Sequence, residues 1–310
     1  QQGATTAPAH TLYDIVRKLP DGSQIEIEKT PDGQALNLRA GRSHFRLGCL
    51  PVEDFPSIAS GDLPAGFSID AKDLRALVDR TSFAISTEET RYYLNGIHFH
   101  AARSADLEVL RAVATDGHRL ARVEMPLPEG AADMPAIIVP RKTVTELRKL
   151  LDEAEDGVEV RLSETKIRFS FGRVMLTSKL IDGTFPDYER VIPTANDKTM
   201  EVDAKLFTEA VDRVSTISTE KSRAVKLALA DGVLTLSATG QENGSATEDV
   251  EISYGGSAME IGFNSRYLIE IARQIEGDVA QFEMADQASP TIIRDVADSS
   301  ALYVLMPMRV

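Results

Sequence analysis

The sequence predicts an α+β protein built from repeated domains, each made of amphipathic helices packed on antiparallel strands. Three observations carry this. Gly41-Arg42, Leu50 and Phe55-Pro56 recur in order as Gly172-Arg173, Leu180 and Phe185-Pro186. Asp70-Ala71-Lys72, Val78-Asp79-Arg80 and Ile85-Ser86-Thr87-Glu88, continued by Arg91, recur as Asp203-Ala204-Lys205, Val211-Asp212-Arg213 and Ile217-Ser218-Thr219-Glu220, continued by Arg223. Between these markers the apolar residues switch repeatedly from the 3.6-residue helical period to the two-residue strand period. The repeat is roughly 120–130 residues, a whole domain rather than a solenoid unit.

Taken in order, residues 1–7 are small and polar, and fraying is expected there. Leu12, Ile15, Val16 and Leu19 mark one face of a helix that the Pro20-Asp21-Gly22 turn ends. Residues 24–28, 35–39 and 44–50 alternate as half-buried strands. Near Phe67 the next unit opens. Asp70 reads as the N-cap of a helix carrying Leu74, Leu77 and Val78, and a loop with Arg91-Tyr92-Tyr93 leads to a strand at 94–100. A hairpin of 107–115 and 118–125 turns at Asp116-Gly117. Pro140 begins a helix with Val144, Leu147 and Leu151 apolar, followed by strands at 158–162, 166–171 and 174–180. The last unit repeats this order. One helix carries Phe207, Ala210, Val211 and Val214, with strands at 225–229, 233–238 and 248–254. A second carries Leu268, Ile271, Ala272 and Ile275, with strands at 280–284, 291–295 and 301–306. The divisions expected are 1–62, 63–195 and 196–310, the first lacking its leading half. Such a half-unit would expose the apolar face it shares with its missing partner, so residue 1 is not expected to be the natural start.

Composition is that of a globular chain: 310 residues, 43% apolar and 26% charged. The lone Cys49 excludes an internal disulfide framework and suits a reducing cytoplasm. No apolar run approaches a membrane span, and no membrane partner is expected. The net charge of −14 argues against a uniformly nucleic-acid-binding surface but allows one basic face. No cofactor is expected, because the chain carries neither a P-loop nor GxGxxG. His98-x-His100 places two imidazoles on one strand face; a metal site and two plain strand histidines are the alternatives. Asp116-Gly117-His118 has a structural reason at a hairpin tip, and Cys49 reads as core. These residues do not describe an enzyme.

Four motifs carry a resemblance: Arg91-Tyr-Tyr-Leu-Asn-Gly96, Ala114-Thr-Asp-Gly-His-Arg-Leu120, Phe185-Pro-Asp-Tyr188 and Met306-Pro-Met-Arg309. In this order, along the whole chain, they resemble the bacterial sliding clamps, the β subunit of DNA polymerase III holoenzyme. The resemblance implies a DNA clamp fold, with three similar domains per chain and two chains closing head to tail into a ring, helices inside and strands outside. It implies a non-catalytic processivity factor that encircles double-stranded DNA. Partners implied are the DNA polymerase III catalytic subunit, the associated 3'-5' exonuclease complex, the clamp loader and other proteins with clamp-binding motifs. A peptide-binding scaffold that does not encircle DNA is the alternative for a chain without the leading half-domain.

By motif match, the resemblance implies a peptide pocket formed by Arg91, Leu94, Thr115, Gly117, His118, Arg119, Leu120, Pro186, Arg190, Val191, Asn264, Tyr267, Val304, Leu305, Met306, Pro307, Met308 and Arg309. Plain core packing is the alternative for Leu94, Leu120 and Val304. Ser222 departs from the family, which often has an aromatic there. Facing DNA would be Arg17, Lys18, Arg75, Arg80, Lys142, Arg148, Lys149, Lys205, Arg213, Arg266 and Arg273, with Tyr92 and Tyr93 in a loop nearby; packing of one tyrosine is the alternative. For a homodimer, Phe45 and Leu47 would pack near Ile217 of a second copy, and Arg42 would face its Glu248 or Asp249.

Overall fold

The computed structural model describes residues 4–55, 61–154, 157–218, 223–240 and 244–309. Pro56, Thr219, Glu220, Ser222 and Val310 lie outside the described residues. The chain divides into two compact units, residues 1–61 and 62–310.

The first unit is helix α1 (Ala9–Val16) followed by the antiparallel sheet β1 (Ile25–Lys29), β2 (Ala35–Ala40) and β3 (Ser43–Gly48) in that order. β2 is the buried middle strand, with Leu36 and Leu38 inside. The helix is shorter than its apolar stripe predicts, and it buries none of its own residues. Tyr13, Val16 and Ile27 are exposed. Cys49 lies just past β3 and is half-buried rather than core.

The second unit repeats one pattern four times: a leading strand, a helix, then three strands. The first two copies are β4 (Ala65–Asp70), α2 (Ala71–Ser82), β5 (Gly96–Ser104), β6 (Leu107–Thr115), β7 (Arg119–Pro126), then β8 (Ile137–Pro140), α3 (Arg141–Leu150), β9 (Gly157–Leu162), β10 (Lys166–Phe171), β11 (Val174–Lys179). The third is β12 (Lys198–Asp203), α4 (Ala204–Ser215), β13 (Ala224–Ala230), β14 (Val233–Gly240), β15 (Gly244–Glu251). After the short β16 (Ser253–Tyr254), the fourth is β17 (Met259–Asn264), α5 (Ser265–Ala272), β18 (Val279–Met284), β19 (Thr291–Asp295) and β20 (Ala301–Leu305). Each leading strand crosses over to the sheet of the other half. Thus β4 pairs with β9, β8 with β5, β12 with β18 and β17 with β13. The two halves of a domain are interlocked, so neither completes its sheet alone.

Helices form where the apolar stripe places them. Leu74, Leu77 and Val78 of α2, and Phe207, Ala210, Val211 and Val214 of α4, point into the core. Burying a Leu, Val or Phe side chain is worth about 1.5–3 kcal/mol, which outweighs the weak helix propensity of the β-branched residues. The predicted cap Asp70 and its counterpart in the repeat, Asp203, behave differently. Asp203 accepts from the Leu206 amide at 2.8 Å, whereas Asp70 stands at the same place and makes no side-chain cap bond. The repeated Gly-Arg pair also has a reason: Gly41 (φ 57°) and Gly172 (φ 53°) take the left-handed turn conformation at the β2–β3 and β10–β11 hairpins.

The feature that positions the site is a nine-stranded sheet, β16-β12-β18-β19-β20-β7-β6-β5-β8. It continues through the antiparallel β7–β20 pairing, which joins strands from the central and final repeats: Leu305 lies opposite Arg119, Val304 opposite Leu120, and Tyr303 opposite Ala121.

Candidate functional site

Because side chains alternate across a strand, the β7–β20 pair presents two different surfaces. On one, Leu120 and Val304 join Leu94, Phe185 and Tyr188 in a small apolar cluster. Leu94, Leu120, Tyr188 and Val304 floor an open groove of about 230 Å³ whose walls are Thr115, Gly117, Pro186, Asp187, Val191 and Met306. Core packing and groove lining are therefore both true of Leu94, Leu120 and Val304: they are the top layer of the core. Val191 and Met306 are exposed at the rim.

The hairpin tip is fixed by its own side chains. The Asp116 carboxylate accepts from the His118 and Arg119 amides at 2.9 and 3.0 Å. Thr115 Oγ1 donates to the Arg119 carbonyl (2.7 Å) and accepts from the Gly117 amide (3.1 Å). Gly117 has φ 87°, and a Cβ there would come within 2.6 Å of Arg91 Nη1. Arg91 is held over the turn by Glu88, at 2.7 Å. The His118 ring stacks beside Tyr267. The chain end is tied down by two backbone bonds, Met306 N to the His118 carbonyl (2.9 Å) and Met308 N to the Gly262 carbonyl (2.8 Å).

On the other surface Arg119 is buried, and its guanidinium lies between the Phe83 and Tyr267 rings at 5.0 and 4.2 Å. It pairs with Asp116 (3.1 Å) and with Glu270, and donates to the Phe83 carbonyl at 2.5 Å. Arg119 borders the groove, but its charge is committed to stapling the hairpin to α5. Arg80 departs from expectation more sharply. It is 7% exposed, with Nη1 bonded to Asp298 at 2.7 Å and to Ser300 at 3.2 Å, so it ties α2 to the β19–β20 turn and faces no solvent. Leu305 does not line the groove either: one residue past Val304, it points into the opposite core.

Arg190 is exposed beside Asp187, at 2.7 Å, and Asn264 caps α5 by accepting from the Arg266 amide at 3.0 Å. Pro307, Met308 and Arg309 line a neighbouring depression with Glu260 and Gln287. Asp187 and Tyr188 line the groove without having been assigned to it, although both stand in the Phe185-Pro-Asp-Tyr188 motif.

Most of the helix cations are already paired. Arg75 pairs with Asp152, Arg148 with Asp79 (2.8 Å), Lys149 with Glu146 (3.0 Å), Arg213 with Glu248 (2.6 Å), Arg266 with Glu270 (3.0 Å) and Arg17 with Asp14 (3.1 Å). Lys18, Lys142, Lys205 and Arg273 are exposed and have no carboxylate partner among the described residues. Glu248 pairs with Arg213 of its own chain, and Asp249 accepts from Thr235 Oγ1 at 2.7 Å. Leu47 is buried within its own unit, leaving Phe45 half-exposed. Tyr92 is exposed and Tyr93 packs against the groove cluster. The two strand histidines stack on each other at 4.7 Å, and no group of three or more described His, Cys, Asp or Glu residues is placed to hold a metal.

Duplicated strand–helix–three-strand halves, a sheet running through a domain junction and an apolar groove at that junction define a clamp-type protein whose work is binding. Residues 1–59, 68–187 and 189–309 match the family models for the N-terminal, central and C-terminal domains of the DNA polymerase III beta subunit. The chain belongs to the bacterial β sliding clamps, the non-catalytic processivity subunits of that polymerase. It is 53% identical over 308 residues to the beta sliding clamp of Caulobacter vibrioides, covering 99% of this chain and 83% of that one. Against the Escherichia coli K12 clamp the identity is 38% over 309 residues, covering 100% and 82%. The crystal structure of the Bartonella birtlesii clamp bound to griselimycin matches with TM-score 0.93 and 52% identity, covering 100% of this chain and 83% of that chain. A Pseudomonas aeruginosa clamp solved with a ligand gives TM-score 0.87 and 40% identity, covering 99% and 82%.

Proposed function

We propose that this chain tethers the replicative polymerase catalytic subunit to double-stranded DNA by encircling the duplex, and that partner proteins dock through short peptide motifs in the β7–β20 groove. The groove carries the reading. Its apolar floor would hold aliphatic or aromatic peptide side chains, and its flexible Met306 edge suits several sequences. The clamp loader, the 3'-5' exonuclease complex and other motif-bearing proteins would compete for it. The working divisions are 1–62, 63–195 and 196–310, and the working compartment is the cytoplasm. No helix of the described residues is long and apolar enough to cross a membrane.

For DNA, phosphate contacts position a protein without reading sequence, which suits sliding. Lys18, Lys142, Lys205 and Arg273 are ready for phosphates, whereas Arg17, Arg75, Arg148, Lys149, Arg213 and Arg266 must first exchange a carboxylate partner. For ring closure, β3 and β15 each keep one unpaired edge, and pairing between copies would repeat the β7–β20 arrangement. Arg42, Phe45 and Ile217 are the side chains best placed to contribute.

Retention on DNA tests the tether. Loaded onto a nicked circle, the protein is expected to stay until the circle is linearised and then slide off. Equal retention on circular and linear DNA would refute encirclement.

A further inference from the structure

His98 and His100 stand two residues apart on one face of β5, where neither a metal nor the apolar core accounts for them. Their rings stack on each other with centroids 4.7 Å apart, and Phe185 stacks on His98 at 4.7 Å and 8° between planes. Tyr188 closes the row: its Oη lies 3.0 Å from His100 Nε2 and 3.3 Å from Arg111 Nη1. Pro186 and Asp187, which wall the groove, are thus held between two anchored rings.

We propose that His98 and His100 are positioning residues for the groove, a stacked pair of neutral imidazoles that fixes the 185–188 wall for an incoming peptide. The proposal rests on the groove being the peptide site. Directionality supports it. His98 Nδ1 lies 3.1 Å from the Ile137 carbonyl and His100 Nδ1 lies 3.0 Å from the Ala101 carbonyl; a carbonyl only accepts, so both rings carry their proton on Nδ1. His100 Nε2 is then an acceptor for the Tyr188 hydroxyl, which in turn accepts from Arg111. The chain runs Arg111 to Tyr188 to His100 to Ala101, with every donor facing an acceptor. A second proton on His100 would take away the acceptor for the Tyr188 hydroxyl proton and place a cation near Arg111.

The surroundings favour the neutral forms. Burial, then the neighbouring His100, pull His98 down to about 4; burial likewise lowers His100, with Arg111 adding to the effect and Glu189 opposing it. Facing titratable groups are each other's imidazole, Tyr188, Arg111 and Glu189, while Glu124 holds Arg111 at 2.8 Å from the strand behind.

The test measures a labelled peptide from the clamp-binding segment of the polymerase catalytic subunit, using the whole chain. His100→Leu removes the acceptor for Tyr188 and is expected to weaken binding about tenfold at pH 7.5, while His100→Gln, which keeps an acceptor, stays within about twofold of the wild type. Imidazole nitrogen-15 NMR of the wild type at pH 7.5 is expected to show both rings in the Nδ1-protonated tautomer. Deleting residues 306–310 is the control for the groove itself. Wild-type affinity in His100→Leu, with binding lost in the deletion, overturns the positioning role and spares the groove; unchanged affinity in the deletion overturns both. Should His100→Leu not fold, an Nε2-protonated tautomer of His100 at pH 7.5 overturns the proposal alone.

Discussion

Removing the Arg119 guanidinium is expected to uncouple the central and C-terminal domains. The side chain joins Asp116 and the Phe83 carbonyl on one side of the junction to Glu270 and Tyr267 on the other. Breaking a buried pair by deleting one partner costs about 3–5 kcal/mol, and each cation–π contact adds about 0.5–1 kcal/mol. Two facts lower the sum. The Glu270 side chain is 25% exposed, so water partly replaces the lost donor, and Glu270 keeps Arg266 at 3.0 Å. Arg119→Ala should therefore cost about 2–4 kcal/mol, and Arg119→Lys about half of that, since a point charge meets only one carboxylate. Urea unfolding followed by circular dichroism reads the total. Hydrogen exchange of the β7 and β20 amides should show that the shared sheet opens first. A loss below about 0.5 kcal/mol, typical of an exposed charge, would refute the staple.

Further outcomes follow from charge and caps. Lys142→Ala, Lys205→Ala and Arg273→Ala should each lower the salt slope of DNA affinity by about one, whereas Arg75→Ala and Arg148→Ala should lower it by less, because those cations already hold carboxylates. His98 is lowered from 6.5 to about 4, so between those values the unfolded chain takes up the proton more readily. Its contribution to stability is full above pH 6.5 and disappears as pH falls toward 4, on the order of 3 kcal/mol at the full shift. Subtracting the pH–stability curve of His98→Phe from the wild type should isolate it. Asp203→Ala should cost about 1 kcal/mol by thermal unfolding, and Asp70→Ala close to nothing, because Asp203 alone of the pair makes a cap bond.

What could be read from the sequence was what is local. The apolar stripes of α2 to α5 and the Asp116-Gly117 hairpin are encoded within a few residues, and they formed where expected. The leading strands β4, β8, β12 and β17 were not read, because they are short, run straight into helix caps and find their partners in the other half of the domain. Arg80 read as a cation facing DNA and Arg119 as a residue of the peptide pocket. Their burial depends on Asp298 and Glu270, 218 and 151 residues away, and no local pattern carries that. Val304 and Leu305 differ only by strand parity, which the β7–β20 register decides. The motif containing Asp187 and Tyr188 was legible, but that these two side chains face the groove was not.

The central claim is that the junction where β7 meets β20 is the docking site for partner peptides. Methyl NMR of the whole chain during titration with the labelled polymerase peptide tests this most directly. The account predicts saturable shifts at Leu94, Leu120, Val191, Val304 and Met306 and none at Ile27 or Val233. Shifts confined to other methyls, with Leu120 and Val304 unmoved at saturation, would contradict it.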